Sequence, residues 1–231
     1  MKADDRLQEK SMDADLIRSE LKEMGWATFR EECLAIEQLE QAVLTIANSL
    51  GEPRATRERG RLIDVLLPTN ALAAKPRSLS ARYGLEQFPW HTDGAHWLTP
   101  PRYLVMACMN AHQEAAETLL CDGHSCAPLN SRAARTSVFR VANGSKSFYA
   151  SPRGRLGQYY RYDPGCMTPM DDVAEEINEF MQLHQSERTH RIRWEAGTVL
   201  VVDNWRFLHR RTAAPETLER TLLRATVMEV E

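Results

Sequence analysis

The chain has 231 residues, 43% hydrophobic and 26% charged, which suits one well-buried globular domain and is too short for two of usual size. Its formal net charge of -3 offers no broad electrostatic basis for binding nucleic acid or an anionic membrane, so the expected partner is a small molecule. No apolar run reaches the roughly 18–20 residues that cross a bilayer. The N-terminal MKADDRLQEK lacks the apolar stretch of a secretory signal, and the five cysteines lack a framework spacing, so the expected setting is the reducing cytoplasm.

Ile17, Leu21 and Met24 recur at helical spacing, as do Ile36, Leu39, Val43, Ile46 and Leu50, and Gly51-Glu52-Pro53 closes the second run. Between them, Trp26 to Phe29 has the aromatic and β-branched content of a short strand. Residues 1–53 therefore read as a helix-strand-helix preface, and the arginine-rich stretch 54–62 as a solvated loop. From Tyr103 the pattern changes to strand-length apolar runs at 103–109, 138–142, 158–162, 190–194, 198–202 and 221–230. Two helices interrupt them, from about Pro128 to Thr136 and from Asp171 to Gln185, where Val173, Ile177, Phe180 and Met181 share a face. Many short strands around a few helices predict a mainly β fold with flanking helices, a two-sheet jelly roll over about 78–231 within one domain, 1–231.

An oxygen-activating, non-haem iron(II) centre needs two imidazoles and one carboxylate on one face, with open positions opposite. His91-Thr92-Asp93 places two such ligands two residues apart, so an extended segment projects both to the same side. A histidine followed two places later by an acid is expected by chance at this composition, and His112-Gln113-Glu114 is a rival. That rival lies in the polar stretch AHQEAAE and reads as a solvent-facing turn. The alternative for His91 and Asp93 is a surface turn at Asp93-Gly94. Against it, Phe88-Pro89-Trp90 precedes the pair and Ala95-His96-Trp97 follows, an aromatic setting suited to lining a pocket. The third ligand must return from far along the chain, and His209, just after the buried-strand pattern 197–202, is the candidate. His96, His112, His124, His184 and His190 read as ordinary hydrogen-bonded histidines. Cys121-Asp122-Gly123-His124-Ser125-Cys126 lacks the second ligand pair of a structural zinc site and reads as a loop.

With these residues in view, the sequence resembles the TauD/TfdA-like iron(II)/2-oxoglutarate dioxygenases, the relatives of taurine dioxygenase, clavaminate synthase and gamma-butyrobetaine hydroxylase. The resemblance rests on His91-Thr92-Asp93-Gly94, on Asp203-Asn204-Trp205-Arg206-Phe207-Leu208-His209, and on Arg220 with Arg224. Weaker likenesses run through Gly51-Glu52-Pro53, Ser78 to Gly84 and Tyr160 to Asp163. It implies a double-stranded β-helix of cupin-like form, with Fe(II) held by His91, Asp93 and His209 as metal ligands and catalytic residues. It also implies that Arg220, eleven residues past His209, clamps the remote carboxylate of 2-oxoglutarate with its guanidinium fork. Thr118 stands where the family often places a second contact to that carboxylate, although Ala115-Ala116-Glu117 replaces the glycines usual before it; otherwise Thr118 is a strand threonine.

Arg224, four residues beyond Arg220, projects to the same face and would meet cosubstrate or substrate unless an internal acid takes it. A buried cation without an acid needs an anion, which points to a substrate with an anionic group. Gln87 and Trp97 are candidate substrate contacts, and Trp90, Trp97 and Trp205 candidate shielding walls. The implied reaction converts 2-oxoglutarate and O2 to succinate and CO2 while oxidising, by preference hydroxylating, a small polar metabolite; with Asp93 present, no ligand position is left for a halide. Two other readings are a catalytically inactive ligand sensor on the same barrel and a cupin-like metalloenzyme that does not use 2-oxoglutarate. Arg220 distinguishes the last of these. A homo-oligomer is compatible with the composition.

Overall fold

In the computed structural model, which describes residues 13–32, 35–154, 157–183, 189–216 and 219–229, the chain opens with two helices flanking a strand. The first helix, α1 (Ala14–Met24), begins at Asp13, whose carboxylate accepts the Asp15 N–H, and stops at Gly25 in the left-handed conformation, φ 81. A Cβ at Gly25 would lie 2.5 Å from the Phe207 ring, so the helix stop is also a close packing contact. β1 (Trp26–Arg30) and α2 (Ile36–Leu50) follow. The expected preface is present, with its boundaries close to those read from periodicity.

The remaining elements are β2 (Glu52–Arg54), β3 (Ile63–Leu66), α3 (Leu79–Tyr83), β4 (Tyr103–Ala111), β5 (Thr118–Asp122), α4 (Ala127–Asn130), β6 (Phe139–Asn143), β7 (Lys146–Ala150), β8 (Met167–Pro169), α5 (Asp172–Leu183), β9 (Thr189–Ile192), β10 (Thr198–Asp203), β11 (Phe207–Arg211) and β12 (Arg220–Met228). One large antiparallel sheet has the order β1-β10-β4-β12-β2, with β3 pairing β12 beside β2. A smaller sheet, β11-β5-β9, faces it, and a third, β7-β6-β8, lies apart. The two facing sheets make the jelly roll. Leu104, Met106, Cys108, Leu120, Ile192, Trp194, Leu200, Val202, Phe207 and Leu222 fill the space between them.

The alternation of β12 assigns its residues to two environments. Leu223, Ala225 and Val227 pack with Val105, Ala107, Val199 and Val201 under α1 and α2, while Leu222 belongs to the barrel interior. Arg220 and Arg224, even-numbered like Leu222, point inward. On the smaller sheet, His209 lies opposite Leu120 and Arg211 opposite Thr118, so these four share the inner face. The outer face of that sheet, with Leu119, Cys121 and Leu208, is covered by α5, Phe139, Val141 and the fully buried Trp90.

Several expectations are corrected. The run at 158–162 is not a strand: Tyr160 makes only an isolated bridge with Arg153. Its aromatic alternation reflects burial of Tyr160 and Tyr162 in the outer core rather than ladder pairing. The helix expected from Pro128 to Thr136 is broken after Asn130, whose side-chain amide donates to the Gly123, His124 and Cys126 carbonyls, and resumes only as a single 3-10 turn, Ala133–Arg135. The helix expected over 171–185 ends at Leu183; Gln185 and His184 lie outside the described residues, as do Cys33 and Val230. Strands β2, β3, β7 and β8, of three to five residues, are additions to the apolar runs read as strands, while β5 and β11 supply the strands on which Thr118 and His209 were expected to lie. No described helix is long and apolar enough to cross a membrane.

Candidate metal centre

His91, Asp93 and His209 converge, each offering one ligand atom within 4.8 Å of the others. The histidines face each other because the segment leading to His91 runs antiparallel along the free edge of β11: the N–H of His91 donates to the His209 carbonyl at 3.0 Å, and that of His209 to the His91 carbonyl at 2.9 Å. Thr92 points the other way and is pinned to Tyr162, its N–H donating to the Tyr162 carbonyl at 2.7 Å. The interval of two residues therefore does what the extended reading required of it, bringing His91 and Asp93 to one side.

Asp93 is fixed by the long-range partner Asn204, which is fully buried. The Asp93 N–H donates to Asn204 Oδ1 at 2.8 Å, and Asn204 Nδ2 donates to the carbonyls of Asp93 and Pro101 at 3.0 and 2.8 Å. The chain then turns at Gly94, whose φ of 67 and whose position against Pro101, 2.4 Å from a built Cβ, exclude a side chain.

The protonation states fit a metal. His91 Nδ1 lies 3.0 Å from the Pro89 carbonyl, which can only accept, so Nδ1 donates there and Nε2 is the ring nitrogen turned toward Asp93. His91 Nε2 and His209 Nε2 are each 3.8 Å from Asp93 Oδ1. Burial, reinforced by His91, pushes the His209 pKa down to about 3 against the pull of Asp93, so its imidazole is neutral. Burial would raise the Asp93 pKa, but Arg224, His209 and His91 outweigh it and hold it at about 2. Two imidazoles and an ionised carboxylate on one face are the donor set of a non-haem iron(II) site. The buried His209 Nδ1, without a hydrogen-bond partner among the described residues, leaves its ring held by packing alone.

The other predicted residues fall into distinct places. Arg220 is buried, with one hydrogen bond to the Ala116 carbonyl at 2.6 Å and no acidic partner among the described residues; burial, with Arg211 nearby, lowers its pKa to about 10. Thr118 is buried on the inner face of the smaller sheet, where its Oγ1 accepts from Trp194 Nε1 at 3.0 Å. Arg224 does not remain the second unpaired cation anticipated for an anionic substrate. Its Nη1 donates to Asp93 Oδ2 at 2.7 Å and its Nη2 to Asp64 Oδ2 at 2.9 Å, because β3, unseen in the sequence, sets Asp64 directly opposite it. Burial opposes its charge, yet Asp93 and Asp64 keep its pKa above the ordinary value.

Gln87 is exposed on the segment before His91. Trp97 is half-buried after the Gly94 turn, edge-on to His96, and its carbonyl accepts from Arg161 at 2.6 Å. Trp90 and Trp205 are not walls of the centre: Trp90 is core beneath Arg210, and Trp205 packs on Tyr159 and donates to the Pro100 carbonyl. His112 and Glu114 lie in an exposed turn, and His190 stacks on Trp26, away from the triad. Cys121 and Cys126 are buried thiols 3.6 Å apart, with no zinc-like ligand set among the described residues. The sequence assigns no role to Asn204, Asp64, Arg161 or Arg211, although Asn204 and Arg161 fall within the motifs that carry the resemblance. Arg211 lies over Phe88 at 3.9 Å and donates to the Gly84 and Glu86 carbonyls, tying down the segment before His91.

A family model described as taurine catabolism dioxygenase TauD, TfdA family matches residues 3–129 and 129–226. Clavaminate synthase 2 of Streptomyces clavuligerus is 25% identical over 140 residues, 53% of this chain; the match spans 43% of that protein, less than half of its length. An asparagine oxygenase solved with Fe(II), 2S,3S-3-hydroxyasparagine and succinate shares the fold at a TM-score of 0.74 and 20% identity, covering 94% of this chain and 80% of its own. The non-haem iron oxygenase OrfP, solved with Fe and alpha-ketoglutaric acid, does so at a TM-score of 0.67 and 18% identity, covering 93% and 78%.

Proposed function

The chain belongs to the TauD/TfdA dioxygenase family, and from that premise we propose that it is an Fe(II)- and 2-oxoglutarate-dependent oxygenase that oxidises, by preference hydroxylates, a small polar metabolite. The observation that carries this is the pairing of His91, Asp93 and His209 with Arg220, a buried cation on the facing sheet that points into the same barrel interior and has no acid of its own among the described residues. The solved relatives hold hydroxyasparagine or (3S)-hydroxy-L-Arg, so amino-acid-like compounds are the first substrates to try. In this reading the whole chain acts as one domain in a reducing cytoplasm, where Cys108, Cys121, Cys126 and Cys166 stay free.

Bound Fe(II) with 2-oxoglutarate would supply O2 activation, giving succinate, CO2 and an oxidised substrate C–H bond. The residues contribute position and electrostatics. His91, Asp93 and His209 hold the metal. Arg220 takes the far carboxylate of 2-oxoglutarate in charge-assisted hydrogen bonds, and Thr118 lines the same end. Arg224 grips the outer oxygen of Asp93, so that the inner oxygen stays turned toward both histidines. Arg211 and Asn204 fix the two backbone segments that carry the ligands.

The experiment is a metabolite screen in Fe(II), ascorbate and 2-oxoglutarate, with succinate as readout and His209→Ala as control. Substrate-dependent succinate in the native protein but not in the variant is expected. Equal succinate from both would overturn the assignment.

A further inference from the structure

We propose that Asp64 is a specificity-determining residue: its outer carboxylate oxygen accepts a hydrogen bond from a protonated amine on the primary substrate. The inference rests on the oxygenase reading above and adds to it the charge of the group that is recognised.

Asp64 sits on β3 in register with Arg224 on β12, and the two side chains share the inner face of the barrel. Both of its hydrogen bonds converge on one oxygen. Oδ2 accepts from Arg224 Nη2 at 2.9 Å and from Thr56 Oγ1 at 2.8 Å, while Oδ1 accepts none from any described residue. Thr56 and Arg224 thus hold the carboxylate in one orientation with its second oxygen free. The Asp64 carboxylate as a whole is one guanidinium's width from that of Asp93, since Arg224 binds Asp64 Oδ2 through Nη2 and Asp93 Oδ2 through Nη1, at 2.9 and 2.7 Å.

Accessibility points the same way. Side-chain exposure is 8% at His91, 14% at Asp93, 18% at Arg224 and 20% at Asp64, so Asp64 is the most accessible of the four. A molecule entering there meets a cation already shared between two carboxylates and an acceptor that lacks a donor. An incoming carboxylate or sulfonate would be set against Asp64, a like charge, and would compete with it for Arg224. An ammonium group instead completes Asp64 and leaves the Asp64–Arg224–Asp93 chain intact. Metal binding sharpens the preference, because it commits Asp93 to the ion and leaves Asp64, the more exposed of the two acids, to meet the substrate.

The test uses full-length protein loaded with Fe(II) and 2-oxoglutarate, whose visible charge-transfer band reports cosubstrate binding before any substrate is added. Common L-amino acids and short aliphatic amines are titrated against their des-amino counterparts, and binding is read as a perturbation of that band. Members carrying the amine are expected to bind and to stimulate succinate formation, and their partners not. For the best of them, Asp64→Asn should raise KM at least ~tenfold, as loss of one charge-assisted hydrogen bond implies, with a smaller change in kcat. Asp64→Ser, which also removes the charge, should reproduce the effect, with far-ultraviolet circular dichroism checking that both variants fold. A des-amino compound that binds as well as its amine, a KM for the amine unmoved in both variants, or no binding by any amine overturns the proposal while the oxygenase reading stands. Absence of the band in the native protein overturns the oxygenase reading, and the proposal falls with it.

Discussion

Asp93 divides its work between two oxygens. Oδ1 faces both imidazoles, and Oδ2 is held by Arg224 at 2.7 Å, which prevents the carboxylate from rotating away from the metal position. Asn204 fixes the backbone on which this rests. Asn204→Ala would strip the buried Asp93 N–H and the Pro101 carbonyl of their partners, at roughly 1–3 kcal/mol for an unsatisfied buried group. We expect a correspondingly lower urea midpoint and weaker Fe(II) binding; an unaltered midpoint would mean that water replaces the amide at no cost. Arg220 makes no such structural connection beyond one carbonyl, so Arg220→Ala should leave the fold in place and act on the cosubstrate. Losing a charge-assisted hydrogen bond costs roughly 1.5–3 kcal/mol, and about 1.4 kcal/mol is a decade, so the apparent constant for 2-oxoglutarate should rise at least ~tenfold. An unchanged constant would remove Arg220 from the cosubstrate site.

At the scale of elements, the centre is assembled by a segment that is not itself a strand of the sheet. Residues 88–91 run along β11, with the Phe88 N–H on the Arg211 carbonyl and His91 and His209 exchanging backbone hydrogen bonds. One ligand from a loop and one from a strand are thereby held as if they belonged to one ladder. The chain must leave that ladder immediately after Asp93, and Gly94 makes the departure. Gly94→Ala would place a Cβ 2.4 Å from Pro101 at a φ of 67, where a left-handed conformation costs an L-residue roughly 1–2 kcal/mol even without the clash. The expected outcome is a protein with near-native circular dichroism and at least ~tenfold weaker metal binding, measured by competition with a chromophoric chelator. Native metal affinity in this variant would show that the turn tolerates a side chain and that Asp93 is placed by Asn204 alone.

For the whole molecule, the barrel interior is a hydrophobic core with a charged end. Leu104, Leu120, Leu200 and Phe207 lie fully buried on the same inner faces as His209, Arg220 and Arg224, so site and core are one packing problem. Metal binding should therefore stabilise the entire domain. If the metal binds only the native state, a concentration one hundred times Kd contributes about 2.7 kcal/mol, seen as a higher Tm under anaerobic Fe(II) and reversed by a chelator. His209→Ala should lose this rise. A Tm independent of metal in the native protein would argue that the three ligands do not form one site.

The helical preface, the strands rich in β-branched residues and the His91/Asp93 pair were legible in the sequence, because each depends on a pattern written at short range. Ile17 and Leu21 lie one helical turn apart, the 198–202 run is apolar enough to be a buried strand anywhere, and His91 and Asp93 are linked through a single residue. His209 was picked out by its place just after that strand, and resemblance to known motifs added Arg220. The 158–162 run misled because burial of Tyr160 and Tyr162 imitates a strand pattern without a pairing partner. Whether Arg224 was a free cation was open in the sequence, since its partner Asp64 is 160 residues away on a strand of only four residues, and nothing local says which strand it pairs with. The same holds for Asn204 and Asp93, 111 residues apart. A side chain's residue type is written locally, but the state of its charge and its hydrogen bonds depends on whatever the chain brings opposite it, and for these residues only the closing of the sheets decided that.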